Sequence, residues 1–437
     1  MMNENEGLKR EIGLWGLVAN SVNITVGAGI FILPVIVAEK LGTGSITAYA
    51  ICGGLMILIM LCFAEVGSRI TLTGGAYTYI ETIFGRVAGF LAANIFIFGG
   101  AITANAAVLN GLADTLSYFI PFFKDQWVRI GFFLIIFGGL AYANIKGVKN
   151  AVFIVKFNTV AKLIPLLMIV LLGWFFIDTR DIKLTSGNSI NDIGEISLVL
   201  LFAFIGAETA LNVSGEVKRP GKTIPAGIMI SIIIIVIIYI LIQLVVQTML
   251  GQSITQYRDA PLAETARLMF GAAGATIVVV GAVFSMFGNI SGMVLNMPRI
   301  LFAAARDNVI PVKSIAAIHP VYRTPNVAII IYATLGFISA STGEFRQLAM
   351  LSSASYMLIY LGVILSVFKF RNSRVTRSGR FLMGYMVPLI STVVIIWVLS
   401  KIPANELTGM IIFLGILTGI YFILEIVRRR REANLKI

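Results

Sequence analysis

Twelve runs of apolar residues, each about as long as a lipid bilayer demands of a spanning helix, limit what this chain can fold into. About 20 consecutive apolar residues cross the hydrocarbon core. The runs fall at 12–37, 45–69, 87–117, 127–145, 150–176, 193–217, 224–250, 274–304, 326–342, 347–369, 383–401 and 406–427. The longest of them must tilt or extend beyond the bilayer. Lipid offers no partner to a peptide group, so such a run satisfies its own backbone as a helix. The 437 residues are 58% hydrophobic and 13% charged, against about 25% charged in a soluble domain. An all-α integral membrane protein with twelve transmembrane helices is expected.

An even number of spans puts both termini on one side of the membrane. Counting Lys and Arg by side places 23 with the termini, from Lys9 to Lys436, and 9 opposite. Basic residues concentrate in cytoplasmic loops, so both termini are expected in the cytoplasm of a cell membrane protein. The net charge of +13 is then a consequence of topology. No stretch interleaves basic and aromatic residues as a nucleic-acid surface would. The organisation reads as a cytoplasmic N-terminus (1–11), five spans (12–176), five more (193–369), two further spans (383–427) and a basic cytoplasmic tail (428–437). Residues 1–10 are polar and the run after them is of spanning length, so no cleavable signal peptide is expected.

Metal or hydrolytic chemistry finds little support. Cys52 and Cys62 are the only cysteines; ten residues apart on one helix, they are separated by a rise of about 15 Å and cannot bridge. His319 is the single histidine. No cofactor is expected. Nor does the chain carry a nucleotide-binding loop of the Gly-x4-Gly-Lys-Ser/Thr kind, so any transport must draw on a gradient or on exchange.

Two glycine breaks interrupt otherwise spanning runs: Val26-Gly27-Ala28-Gly29-Ile30 in span 1 and Phe202-Ala203-Phe204-Ile205-Gly206-Ala207-Glu208 in span 6. Open backbone at membrane depth persists only around a cavity, and paired breaks in the two halves of a chain point to a transporter's substrate site. If spans 1–5 match spans 6–10, both breaks lie in the opening helix of a repeat. At the first break, amides at the start of a half-helix favour a carboxylate. A Gly-xxx-Gly packing seam is the alternative, but the glycines stand two apart rather than four. At the second, freed carbonyls suit an ammonium, and Phe202 or Phe204 is placed to close over it.

Charged groups inside spans are costly and point to function. Lys162 lies in the middle of span 5, too deep to reach the interface, whereas Lys156 is near enough to an end to snorkel. A buried ammonium replaces a bound cation or carries a proton. Glu208 is either a coupling group or a structural tie, and Glu65, beside Arg69 at the end of span 2, reads as structural. Asn20 and Asn23 in span 1, and Ser285 and Asn289 in span 8, are candidate neighbours of a pocket or cation site. Asn94, Asn105, Ser291, Asn296, Ser352, Ser353, Ser355 and Tyr356 read more readily as hydrogen bonds to their own helix or a neighbour. Short helices are expected along the cytoplasmic interface near Thr73–Ile80 and outside at Pro261–Met269.

Taken together, these stretches resemble the amino acid–polyamine–organocation superfamily. The resemblance rests on Gly27-Ala28-Gly29-Ile30-Phe31, on Gly74-Gly75-Ala76-Tyr77, on Phe202 to Glu208, and on Gly215-Glu216-Val217-Lys218-Arg219-Pro220-Gly221-Lys222-Thr223-Ile224-Pro225. Pro298-Arg299 to Pro311 and Thr324-Pro325-Asn326 fit as well. It implies a five-plus-five inverted repeat of the LeuT kind, with discontinuous helices 1 and 6 and two added helices. It also implies alternating-access movement of amino acids or amines. By resemblance, the backbone of Val26, Gly27, Ala28, Gly29 and Ile30 holds the substrate carboxylate. Phe202, Ala203, Phe204, Ile205 and Gly206 take the amino group, with Phe202 as gating aromatic. Lys162 matches a lysine that fills a sodium site in sodium-independent members, which implies proton coupling or sodium-free exchange.

A secondary transporter of small or medium neutral amino acids is the function expected, with the amino acid, the lipid bilayer and protons as partners. Phe202 is smaller than the tryptophan of arginine exchangers, and only Glu208 is available to a cationic side chain. A cationic amino acid or polyamine antiporter comes second; polyamines lack the carboxylate that the first break suits. A non-transporting sensor would be expected to add a signalling domain, for which neither flank leaves length. An enzyme would need a nucleophile–base or metal set that is missing, and a channel a continuous polar helix face.

Overall fold

The computed structural model describes residues 10, 12–70, 75–146, 151–177, 189–208, 211, 214, 217–306, 310, 312–372 and 384–434. Among these the secondary structure is helical, with one isolated parallel bridge, Ile12 to Val217. The helices are α1 (Leu14–Thr25), α2 (Gly29–Leu41), α3 (Ser45–Gly67), α4 (Gly75–Phe84), α5 (Arg86–Asn94), α6 (Ile102–Ser117), α7 (Gln126–Lys146), α8 (Ala151–Leu172), α9 (Ile190–Leu201), α10 (Pro220–Leu250), α11 (Pro261–Arg306), α12 (Asn326–Thr342), α13 (Phe345–Asn372), α14 (Met386–Leu399) and α15 (Ala404–Asn434).

Seven helical stretches among the described residues are long and apolar enough to cross a membrane, and three shorter apolar ones reach 10–17 residues. The breaks account for other shortfalls. α1 and α9 have 12 residues each, or about 18 Å of helix, because spans 1 and 6 stop halfway. Large apolar side chains stay exposed on the periphery, as on α7 (Ile135) and α15 (Ile411, Ile416, Ile423), where a bilayer would cover them. Residues 71–74, Gly215, Glu216, Pro311, Arg374, Arg377 and Arg380, with most of the N-terminal segment, lie outside the described residues. So do the side chains of Lys156 and of the Arg428–Arg431 run.

Local sequence sets the ends. α9 opens with a capping box in which Ser189 and Asp192 satisfy each other's backbone amides. Pro220 starts α10, where its missing N–H costs nothing. Pro261 starts a short helical segment that kinks at Phe270 and Gly271 before the long body of α11. One irregularity is hidden in the sequence: Ile95–Ala101, between α5 and α6, winds as a π-helix, a form frequent at functional sites. Its carbonyls draw hydroxyls from outside, Tyr332 onto Ala101 at 3.2 Å and Ser352 onto Gly100 at 3.1 Å.

The two broken spans are tied to each other. Lys218 N–H donates to Ile12 O at 2.9 Å, joining the chain before α1 to the chain after the second break. Both strands of backbone are enclosed by α3, α8, α10, α11 and α13.

Candidate functional site

The last carbonyls of a helix find no partner within it, and α1 ends where four of them lie inside the bundle, those of Thr25 and Val26 on buried residues. Val22 O takes the N–H of Val26 at 3.0 Å. Each of the next four carbonyls is met by a side chain from another helix. Lys162 on α8 donates from Nζ to Asn23 O and, at 3.0 Å, to Val26 O. Asn289 on α11 donates to Ile24 O at 3.3 Å. Tyr239 on α10 donates to Thr25 O at 3.3 Å. Ser285, one turn before Asn289, donates to Val26 O at 3.3 Å.

Across the break the situation reverses. The amide groups of Gly27, Ala28, Gly29 and Ile30 meet no acceptor among the described residues; Phe31 N–H is the first satisfied, by Ala28 O at 3.0 Å. Ala28 is the N-cap of α2 and its methyl caps nothing. All four residues are buried. Unmade hydrogen bonds of buried amides are expensive, and these four point from the positive end of a helix dipole.

The second break packs against the first in antiparallel order. Leu201 ends α9, Phe202–Phe204 make one 3-10 turn, and Ile205 is extended. Gly206 has φ +123, a conformation open to glycine alone in practice. A Cβ on Gly206 would lie 3.1 Å from Thr25 Cα, and one on Gly29 would lie 2.8 Å from Ala203 Cα. Ser21 Oγ donates to Ala207 O at 3.0 Å. Residues 21, 25 and 29 thus run against 207, 206 and 203.

The remaining candidates separate by their contacts. Lys162 is 3% exposed, and both of its hydrogen bonds go to span 1 carbonyls. Glu208 is buried and its Oε2 accepts the N–H of Gly206 at 3.0 Å, so it braces the second break from within. Its Oε1 takes no hydrogen bond, and the Tyr360 hydroxyl lies beside it. Phe202 packs edge-on to Phe345 with centroids 5.7 Å apart. Phe204 is fully buried between Tyr49 and Tyr239, a core position rather than a closing ring. Asn23 keeps its Oδ1 unbonded, and Asn20 stays half-buried on α1 without a hydrogen bond.

Other polar residues brace the helices. Asn94 donates to Phe90 O, Ser291 to Gly288 O and Ser355 to Leu351 O. Asn105 reaches Tyr332, and Asn296 is exposed. Glu65 accepts Arg371 in a two-pronged pair. Tyr239, Ser21 and Phe345 were missed by sequence reasoning. Tyr239 carried a signal, a lone hydroxyl within an aliphatic run, whereas Ser21 and Phe345 carried none.

A bundle of apolar helices, with one span broken between side-chain-capped carbonyls and uncapped buried amides, defines a polytopic membrane protein of the transporter class. The family model described as "Amino acid permease" matches residues 12–426. The chain belongs to that family, within the amino acid–polyamine–organocation superfamily. It is 30% identical to a serine/threonine exchanger of Bacillus subtilis (strain 168) over 397 residues, 89% of each chain. An arginine/ornithine antiporter of Pseudomonas aeruginosa is 28% identical over 69% of this chain and 65% of its own. A methylthioribose transporter of Bacillus subtilis (strain 168) is 24% identical over 96% of this chain and 94% of its own. Substrate therefore varies among relatives of this one architecture.

Proposed function

We propose that this chain is a secondary active transporter of small or medium neutral amino acids, working by alternating access. The observation that carries the proposal is the asymmetry at the first break. Four successive carbonyls, Asn23 to Val26, are satisfied from within the protein, and four successive amides, Gly27 to Ile30, are left for something else. A carboxylate supplies acceptors in that number and place. The amino group of the same molecule is then directed to the segment from Phe202 to Gly206, which lies alongside. In this reading twelve spans form two inverted five-helix repeats with two added helices, and both termini are cytoplasmic.

Two features support the neutral class. Glu208 is buried and spends one carboxylate oxygen on Gly206 N–H, so it is committed to bracing the second break rather than set aside for a cationic side chain. Phe202 closes against Phe345, which favours a small side chain beneath. Lys162 occupies the space between spans 1 and 5 with its own ammonium, so sodium has no role in the cycle. Exchange and proton coupling are the two sodium-free modes.

Purified protein in proteoliposomes tests this directly. Uptake of labelled serine, measured against a panel of unlabelled amino acids with and without internal amino acid, is expected to be saturable and competed by small neutral members. Sodium should leave it unchanged. Absence of uptake for every amino acid, or preference for arginine or a polyamine, would overturn the reading.

A further inference from the structure

Phe345, the first residue of α13, was not foreseen at the site, yet it is the ring on which Phe202 rests. What allows it to sit there is on α6. A Cβ built on Gly111 would overlap the Cδ1 of Ile32 and stand 3.3 Å from Cδ2 of Phe345. Ile32 belongs to α2, whose N-terminus carries the four open amides, and both side chains are buried. Gly111 therefore faces the second half of span 1 and the ring partner of Phe202 at once.

The α6 wall at this level cannot retreat. Asn110 donates to Ala340 O at 3.0 Å, Arg129 pairs with Asp114 at 2.6 Å, and the same guanidinium bonds the Asn110 side chain at 2.9 Å. Thr115 occupies Gly111 O at 2.8 Å. A side chain at 111 must consequently turn the end of Ile32 aside, and the branches of a larger one press on Phe345 and so on its contact with Phe202. In a close-packed interior such displacements are not absorbed locally.

We propose that Gly111 is the socket of the gate: a positioning residue whose missing side chain lets Ile32 and Phe345 seat so that Phe202 closes over bound substrate. This rests on the transporter reading above and adds the residue that sets how far closure proceeds. Closure is part of the transport cycle, whereas the amides that hold the carboxylate lie at the other end of the contact. A side chain at 111 should therefore slow turnover more than it weakens binding.

The test compares Gly111→Val, Ile32→Ala and the double variant in proteoliposomes, each first shown to be monodisperse on size exclusion. Gly111→Val is expected to lower the saturating exchange rate by about tenfold or more while substrate affinity changes less than about threefold. Ile32→Ala in that background is expected to recover about half of the lost rate or more by vacating the overlapped space. An unchanged rate in Gly111→Val overturns the proposal, as does a loss that Ile32→Ala leaves unrescued. If the wild-type protein transports no amino acid, the transporter reading fails first, and the two failures are distinct.

Discussion

Gly29 lies so close to Ala203 that a Cβ on the glycine would stand 2.8 Å from the alanine Cα and 3.3 Å from its amide nitrogen. The two broken spans touch here through backbone. Neither chain can turn a rotamer to make room. Gly29→Ala is therefore expected to push the breaks apart, at about 1–3 kcal/mol for overpacking of this kind. Uptake should fall by about a hundredfold, as for other small displacements of binding groups. Gly54→Ala, where nothing lies within 4 Å of the added Cβ, is the control that should transport normally.

Lys162 is expected to matter through the carbonyls it holds. Lys162→Met keeps the length and apolar stem but leaves Asn23 O without its donor and Val26 O with Ser285 alone. A buried acceptor stripped of its partner costs about 1–3 kcal/mol. The loss should appear as reduced uptake together with lower thermal stability of the detergent-solubilised protein. Normal uptake in Lys162→Met would remove Lys162 from the mechanism.

The breaks and the buried ammonium were legible in the sequence because each violates what a membrane helix requires. Three small residues at Gly27-Ala28-Gly29 and a cation at Lys162 stand out against aliphatic surroundings. Their partners were legible only in part: Ser285, Asn289 and Tyr239 stand as polar groups in apolar spans, but nothing there says which carbonyl each would meet. Tyr239 reaches Thr25 across 214 positions of chain, and no local pattern specifies which hydroxyl will cap which carbonyl. Spacing alone left the aromatics at 202 and 204 open and the resemblance chose Phe202; packing encloses Phe204 between Tyr49 and Tyr239 and sets Phe202 against Phe345. The π-helical turn at Ile95–Ala101 escaped notice because it keeps an unbroken apolar composition.

That difference between the two phenylalanines separates function from stability. Phe204→Ala empties a fully enclosed site and should cost about 3–5 kcal/mol, seen as lower thermal stability. Phe202 is buried as well, at 7% exposed against 0% for Phe204, so Phe202→Ala should shift unfolding only somewhat less. Its saturating exchange rate should drop by about tenfold or more. Equal stability losses with equal rates would show that neither ring gates.

At the C-terminal end of α2, Lys40 pairs with Glu195 at 2.8 Å and lies 3.8 Å from Asp192. Hydrogen bonding and attraction to Glu195 raise the Lys40 pKa, and hydrogen bonds from Ser189 lower that of Asp192. A raised lysine stabilises below its ordinary pKa and loses that contribution as pH rises through the higher folded value. A lowered carboxylate stabilises above its ordinary range and loses its part as pH falls through the depressed value. The α2–α9 contact is thus intact across the neutral range. All three side chains are solvent-exposed, and salt screens such pairs. Lys40→Ala is expected to leave substrate affinity unchanged and to lower thermal stability only slightly at low ionic strength, with no difference at high salt.

Arg371 and Glu65 carry a larger effect at the other face. The guanidinium is 4% exposed, forms a two-pronged pair with Glu65, and also donates to Gly384 O at 2.6 Å. It joins the ends of α3 and α13 to the segment that opens α14. Lysine offers a point charge and cannot reproduce the fork. Removing one partner of a fully buried pair costs about 3–5 kcal/mol. Glu65 keeps 20% of its side chain exposed, so Arg371→Lys should cost about 2 kcal/mol, and Glu65→Gln, which strands a buried cation, about 3 kcal/mol. Thermal unfolding of both variants beside the double variant Arg371→Met/Glu65→Met decides the matter. If the pair is a structural clasp, the double variant should be more stable than Glu65→Gln; a double variant less stable than either would show that the other contacts of Arg371, with Gly384 O and the Tyr385 ring, outweigh the pair.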